Sequence, residues 1–411
     1  MRAGPSQEDI RRHNLGALLR HVHLGGPISR AELTSRMGLN RSTIMALTSD
    51  LTAAGLVREE LPRETGRAGR PSLVVRPESS RVYVFAFDVG PDRLAAARVG
   101  LGGVILDRRE LPRRRGPFQL GELVGVLAAF VRQMRRKTRP DTVCVGAAAA
   151  VSGGVRKGDG VITFGPNLMT QGREVPFGEE LGRRLGLGLP VSVGNDANLG
   201  ALAEHSRGVG ASVKDLVYLH GDVGIGGGII AGGHLLGGHD GYGGEVGHMV
   251  VNPGGRACGC GSHGCLEAEV GERALLEAAG RAQAVRNGEV HRGRHGREAV
   301  RAVVDAADRG DIVAQKALKG VGDWLGLGVA NLINIFNPEM IIFGGMLREI
   351  YLGSAARVRS QLTLHAMAPQ RERVRLRTSA LADDATLVGA AELAFAHVLA
   401  DPLEVLARAG G

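Results

Sequence analysis

Three of the chain's four cysteines fall within eight residues, inside the stretch GYGGEVGHMVVNPGGRACGCGSHGCLE that runs from Gly241 to Glu267. No other stretch restricts the fold so tightly. Cys258, Cys260 and Cys265 follow a C-x-C-x4-C spacing, and glycines at 259, 261 and 264 remove side chains where such a reversal needs tight backbone geometry. Three thiolates can then converge. With His248 they form a CCCH set, a composition that closes a structural zinc site and leaves no open position for chemistry. The alternative is three reduced cysteines in a glycine-rich loop. A disulfide framework fits worse, because Cys144 lies far away in the apolar run TVCVGAAAA and reads as a small buried hydrophobe. Glu245 and Glu267 flank the knuckle and are not needed as ligands. The metal would fix the loop so that neighbouring polar groups face a pocket at set angles, since structural zinc supplies roughly 10 to 16 kcal/mol of folding-coupled binding energy.

At 411 residues and 44% hydrophobic content, the chain is long enough for two or three domains with real cores. It has no run of 18 apolar residues, and MRAGPSQEDIRRHN carries polar and acidic residues where a signal peptide needs an apolar stretch. These features predict a cytoplasmic protein without a membrane partner, in a compartment where thiols stay reduced and can hold zinc. A net charge of +9 favours an acidic partner, and its meaning depends on where the arginines lie.

The N-terminal pattern gives them a place. Ile10, Leu15, Leu18, Leu19 and Val22 make one apolar face of a helix from Asp9 to Leu24, stopped by Gly25 and Gly26. Ser29 and Glu32 form an S-x-x-E capping box opening a short helix that Gly38 ends. A second helix follows, capped by Asn40, with Ile44, Leu47 and Leu51 buried and Gly55 as its stop. Arg41, Ser42 and Thr43 lie off that stripe at its start. This is the layout of a helix-turn-helix that sets a recognition helix in the major groove of double-stranded operator DNA; a plain three-helix packing domain is the alternative. Leu56–Val57 and Leu73–Val75 then read as short strands around ETGRAGRPS, a wing whose Arg67 and Arg70 can meet phosphates or a narrow minor groove. The expected divisions are a winged helix-turn-helix over residues 1–76, a polar linker PESSR over 77–81, and the remainder over 82–411.

From Val82 onward, strand and helix patterns alternate, which predicts an α/β fold. VYVFAFDVG, RLAAARVG, GVILDRREL and TVCVGAAAA read as strands, and Leu120 to Arg136 as a helix. A weak echo appears 134 residues after Asp88-Val89-Gly90, where LVYLHGDVGIGGGII again sets an apolar strand before Asp-Val-Gly. Duplication of one α/β unit would place a cleft between two lobes. RAQAVRNGEVHRGRHGR, from Arg281 to Arg297, reads as an exposed loop, Ala307 to Phe336 as helical, NPEMIIFGG as a strand and residues 385–400 as a closing helix. Asn195 and Asp196 stand between the apolar run PVSVG and a helix, at the kind of junction where open α/β folds bind ligands.

The run E-V-G-H, then C-G-C-G-S-H-G-C-L-E, resembles the signature of the ROK family of repressors, open reading frames and sugar kinases. The resemblance extends from residue 1 to about 395 and implies an actin-like, ribonuclease H-type domain of two lobes behind the winged helix. It implies that Asn195 and Asp196 hold a sugar, Asp196 matching the aspartate that serves family kinases as general base. It also implies contacts from Asn167, in GPNL, and from Glu245, His248 and Glu267, although the tryptophan usual after Asn-Leu is absent from MTQGRE. The phosphate loops depart from the kinase pattern. The family's Asp-x-Gly-Gly-Thr is replaced by Asp88-Val89-Gly90-Pro91-Asp92, and its Gly-Thr-Gly by Asp222-Val223-Gly224. Pro91 removes a backbone donor, and Asp92 and Asp222 bring carboxylates. The expectation is therefore a regulator of carbohydrate metabolism, a repressor responding to a monosaccharide or sugar phosphate. It would act as a homodimer or homotetramer, with structural zinc and without catalysis. A sugar kinase bearing a DNA-binding domain and an architectural DNA-binding protein with a dead cleft are the rivals.

Overall fold

The computed structural model describes residues 6–61, 72–165, 174–189, 191–281 and 296–409. The N-terminal segment comprises α1 (Gln7–Gly25), β1 (Ile28–Ser29), α2 (Arg30–Met37), α3 (Arg41–Ala53), β2 (Val57–Glu60) and β3 (Val74–Pro77). Its helix caps obey local chemistry. Ser6 and Asp9 form a reciprocal capping box on α1, a signal the apolar pattern alone did not disclose. Ser29 accepts from the Glu32 amide on α2 as expected, but the Glu32 carboxylate turns away to Arg36 at 2.6 Å, so only half of that box forms. Asn40 caps α3 by accepting from the Thr43 amide. The strands pair in the order β1-β3-β2 beside the helices, and the expected wing tip with Arg67 and Arg70 lies outside the described residues.

The first lobe holds β4 (Val82–Val89), β5 (Arg93–Gly100), β6 (Val104–Pro112), α4 (Leu120–Arg135), β7 (Val143–Val151), the small pair β8 (Gly154–Val155) and β9 (Ile162–Phe164), α5 (Phe177–Leu185), β10 (Val191–Asn195) and α6 (Asp196–Arg207). The second opens with β11 (Leu216–Gly221), β12 (Ile225–Ala231) and β13 (His234–Leu235). It continues through α7 (Leu266–Val270), α8 (Glu272–Ala278), α9 (Arg297–Asp308), α10 (Ile312–Phe336), β14 (Met340–Gly345) and α11 (Leu347–His365). It closes with α12 (Ala368–Arg371) and β15 (Arg375–Thr378), after which α13 (Ala385–Ala400) and α14 (Pro402–Ala409) return to pack on the first lobe. The stretch from Ala307 to Phe336, expected to be helical, is helical with one break. Gly310, at φ 94°, breaks the chain after α9, and Asp311 caps α10 by accepting from the amides of Val313 and Ala314.

The Asp-Val-Gly echo proves to be a duplicated topology. Among the described residues each main sheet has five strands, in the orders β10-β7-β4-β5-β6 and β13-β12-β11-β14-β15. In both, the first strand pairs antiparallel with the second and parallel with the fourth. The two Asp-Val-Gly turns occupy the same hairpin position in their sheets. Burial follows from this arrangement. Strands β4 and β7 are buried on both faces, which explains their continuous apolar runs. α4 and α5 cover one face of the first sheet, α10 and α11 one face of the second, and α13 and α6 pack between the sheets.

The N-terminal helices share a core with the first lobe. Leu15, Leu18, Leu19 and Val22 of α1 belong to the same buried cluster as Val82, Val84, Leu387, Phe395 and Leu399. The contact is close enough that a Cβ on Gly16 would lie 2.5 Å from the Leu399 carbonyl oxygen. The polar composition of residues 77–81 gives no hint of this continuity. Among the described residues, no single helix is long and apolar enough to cross a membrane.

Candidate functional site

The two Asp-Val-Gly turns face one another across the cleft. A Cβ on Gly90 would come within 3.7 Å of Asp222 Oδ2, and both turns line a cavity of about 220 Å³ with Asp88, Asp92, Asp196, Asp222 and Asp383 on its walls. The arginines there are already engaged. Arg93 donates to Asp88 at 3.0 Å and to the Asp383 carbonyl at 2.7 Å. Arg297 reaches Asp383 and, at 3.0 Å, Glu349. At the mouth, Arg115 binds Asp92 at 2.6 Å in its own lobe and Glu272 at 2.8 Å in the other. Burial together with the neighbouring carboxylates pushes Asp222 up to about 7, with His220 opposing the rise.

A second compartment of about 70 Å³ adjoins the first, and Asp196, His220 and Asp222 line both. Asn195, Asp196, Glu245, His248 and Glu267 all face it, so five of the six residues expected for the sugar converge. Asn167 lies outside the described residues. Asn195 ends β10 and caps α6 by accepting from the Asn198 amide, while its side-chain amide donates to the Gly153 carbonyl at 3.0 Å. Burial raises the Asp196 carboxyl above its ordinary range, against the pull of His220. Glu267 accepts from the Ile225 amide at 3.0 Å and thereby ties the knuckle to the start of β12. Sequence reasoning missed His220 and Asn198. His220 sits two residues before the second turn, stacked on Tyr218, and the apolar strand LVYLHG gave it no distinguishing context. The Oδ1 of Asn198 is buried without a hydrogen-bond partner.

The cysteine knuckle folds through the bridges Val250–Cys265 and Ala257–His263. Gly264 is obligatory, with φ 70° and the Asn252 carbonyl 1.6 Å from any added Cβ, and Gly261 has φ 91°. Gly259, by contrast, looks onto open space, so its expected steric role does not hold. The ligand atoms of His248, Cys258, Cys260 and Cys265 all lie within 4.8 Å of one another. His248 Nδ1 is 3.6 Å from Cys258 Sγ, and Cys260 Sγ is 3.7 Å from Cys265 Sγ. A tetrahedral site with metal–sulfur bonds of about 2.3 Å and metal–nitrogen bonds of about 2.0 Å needs roughly 3.5 to 3.8 Å between donors. The residues present therefore fit one metal ion. His248 turns its other nitrogen toward Glu245, 3.9 Å away, so the ring joins the knuckle to the pocket.

In the N-terminal segment, Arg41 and Ser42 are exposed and Thr43 half-buried on the first turn of α3. Ser42 donates to Asn40 Oδ1 at 2.7 Å, which makes it part of the cap as well as part of the surface.

The profile of the ROK family matches residues 84–397. The xylose repressor of Bacillus subtilis (strain 168) is 27% identical over 395 residues, covering 96% of this chain and 97% of that protein. The DNA-binding transcriptional repressor Mlc of Escherichia coli (strain K12) is 27% identical over 390 residues, 93% of each chain. A crystal structure of a ROK family transcriptional regulator described as a homolog of Escherichia coli Mlc superposes with a TM-score of 0.77 at 26% identity, covering 98% of this chain and all of the other. A ROK family glucokinase from Streptomyces griseus, solved with glucose and AMPPNP, gives 0.62 at 29% identity and covers 76% of this chain and 99% of its own. With the family profile spanning most of its length, and with both lobes and the cysteine knuckle in place, the chain belongs to the ROK family.

Proposed function

We propose that the chain is a sugar-responsive transcriptional repressor of carbohydrate genes. The observation that carries this reading is that a helix-turn-helix shares one continuous hydrophobic core with the first of the two lobes that form the cleft, in a chain whose full-length relatives are repressors. Residues 1–76 read operator DNA, through Arg41, Ser42 and Thr43 in the major groove and through Arg67 and Arg70 on the wing. Residues 82–411 bind the effector, and 77–81 join the two. Asn167, Asn195, Asp196, Glu245, His248 and Glu267 pair with its hydroxyls, and such pairing discriminates epimers because a misplaced hydroxyl leaves a buried polar group unsatisfied. His248, Cys258, Cys260 and Cys265 hold a structural zinc, whose chemistry is confined to fixing the loop that carries Glu245 and His248. A homodimer sets two recognition helices on half-sites one helical turn or a multiple apart, and the protein works in the cytoplasm.

The phosphate half of the cleft speaks against catalysis, since its loops carry Asp92 and Asp222 and its arginines are held in ion pairs. A sugar kinase remains the second reading because Asp196, the kinase-type base, keeps a buried place between the two compartments. One experiment separates them. A duplex selected from a randomised pool by the purified chain is titrated with and without D-xylose, D-glucose and their phosphates, and each mixture is assayed for ATP turnover. The repressor reading requires a sugar that changes duplex affinity. Turnover abolished by Asp196→Asn, with no sugar effect on the duplex, would establish the kinase instead.

A further inference from the structure

We propose that α6, gripped at its far end by Arg207, Glu392 and His23, is the link that carries occupancy of the Asn195–Asp196 pocket to the DNA-binding helices. The proposal rests on the sugar-responsive reading above and adds the route of the response.

The near end of α6 is the pocket itself. Asn195 caps the helix and Asp196 is its first residue. Within the first turn, Asn198 buries an Oδ1 that no hydrogen bond satisfies. That oxygen faces the turn before Glu245, since a Cβ on Gly244 would lie 3.4 Å from it. The first turn of α6 and the loop bearing Glu245 and His248 therefore meet at an unmet acceptor, which a shift of the Gly244 turn on ligand binding would satisfy. Such a site distinguishes an occupied from an empty conformation, and that difference is what a ligand needs in order to shift an equilibrium.

Between its ends the helix has no slack. A Cβ on Gly200 would sit 2.4 Å from the Tyr218 ring, one on Gly228 2.5 Å from the Ala197 carbonyl, and one on Gly389 1.9 Å from the Leu199 carbonyl. Backbone thus lies against backbone from β12 on one side and α13 on the other. Packing this dense passes displacement along instead of absorbing it. Twelve residues at about 1.5 Å per residue make a rod of roughly 18 Å.

At the far end, Arg207 reaches into the N-terminal segment. Its guanidinium donates to the His23 carbonyl at 3.2 Å, the Gly102 carbonyl at 2.9 Å and the Glu392 carboxylate at 2.5 Å. The Gly102 amide donates to His23 Nδ1 at 2.9 Å, and His23 Nε2 lies 3.1 Å from the Glu392 carboxylate and 2.7 Å from an Arg207 guanidinium nitrogen. Burial keeps His23 neutral by lowering its pKa. Glu392 would be raised by burial, but His23 and Arg207 outweigh that and hold it ionised. His23 is fully buried at the end of α1, Glu392 nearly so on α13. The clasp therefore joins α1 to both helices that pack between the sheets. An ion pair so deeply desolvated cannot be half-broken cheaply, which suits it to two discrete arrangements.

The test uses the full chain, the duplex selected from a randomised pool, and whichever of D-xylose and D-glucose binds more tightly by calorimetry. Arg207→Ala is expected to bind sugar within about threefold of wild type and the sugar-free duplex within about threefold, while a sugar effect of about tenfold or more in wild type falls below about threefold. Arg207→Lys should retain an intermediate effect. Glu392→Gln, which keeps the shape but not the charge, should lose most of it should Arg207→Ala fail to fold. Val398→Ala thins the same core without touching the clasp and should keep the full effect. Undiminished sugar response in Arg207→Ala or Glu392→Gln overturns the link, as does an equal loss in Val398→Ala. A wild-type chain that binds neither sugar overturns the functional reading and the link with it.

Discussion

Replacing Asp222 by Asn should stabilise the protein at alkaline pH and do little in acid. Burial and the surrounding carboxylates raise Asp222 from 3.8 to about 7. A carboxyl whose folded pKa is raised penalises the folded state once it ionises. Below the unfolded value both states are protonated and no penalty exists; it grows as pH climbs from 3.8 toward 7 and is complete above that. The shift corresponds to about 4 kcal/mol at 1.36 kcal/mol per unit. Asp222 keeps part of its surface in the open cleft, where water screens the charge, so roughly half, about 2 kcal/mol, is the better expectation. An asparagine at this position would mimic the protonated acid in shape without the titration. Asp222→Asn should therefore melt about 3 °C above wild type at pH 8 and only about 1 °C above it at pH 5, for an unfolding unit of this size. Thermal melts of both proteins at the two pH values measure this. An equal difference at both, or destabilisation at pH 8, would refute the claim that the cleft holds a strained carboxylate on its phosphate side.

Three further changes probe other parts of the molecule. Cys260→Ser should release bound metal and lower the melting temperature together with the sugar response, read by metal analysis and calorimetry; a wild-type melt unmoved by chelator would contradict a structural metal. Asp196→Asn should weaken sugar binding at least tenfold, about 1.4 kcal/mol, without altering affinity for the selected duplex in the absence of sugar. Arg41→Ala should weaken duplex binding and reduce the slope of log affinity against log salt by about one if the arginine meets a phosphate, and an unchanged slope would move it off the backbone.

Much of this organisation was legible because local chemistry and global fold agree in it. The cysteine spacing, the Asn40 cap, the stripe of Ile44, Leu47 and Leu51, and the doubly buried runs of β4 and β7 are each dictated by short-range rules that survive folding. The paired Asp-Val-Gly turns were legible only as a faint echo, since three residues carry little information while the matching strand orders carry much. What stayed hidden depends on long-range contact. Nothing around His23 distinguishes it from other histidines on a helix until Glu392, 369 residues away, lies 3.1 Å from it. Helix α11 drew no reading because its apolar residues are interrupted by arginines, two of which, Arg348 and Arg357, bind Glu349 and Asp323. Gly259 misled for the opposite reason: it shares the knuckle's composition without sharing its crowding.

The chemistry of the cleft follows from which partner a carboxylate can satisfy. A sugar hydroxyl donates a proton to a carboxylate and gains from it, so Asp196, Glu245 and Glu267 are suited to a neutral polyol. A triphosphate offers only acceptors and negative charge. Beside Asp222, once that carboxyl ionises, it meets repulsion of about 1 kcal/mol at 4 Å in water and about 4 kcal/mol at an intermediate dielectric, while the charge of Asp92 is already met by Arg115. Arg93 and Arg297, the basic residues on that wall among those described, are committed to Asp88, Asp383 and Glu349, so enlisting either for phosphate means first breaking an ion pair. The Arg115–Glu272 bridge also spans the two lobes and helps to hold them together. On the proposed reading the cleft binds a neutral sugar without transfer to it, and binding without turnover is what a ligand-controlled switch requires.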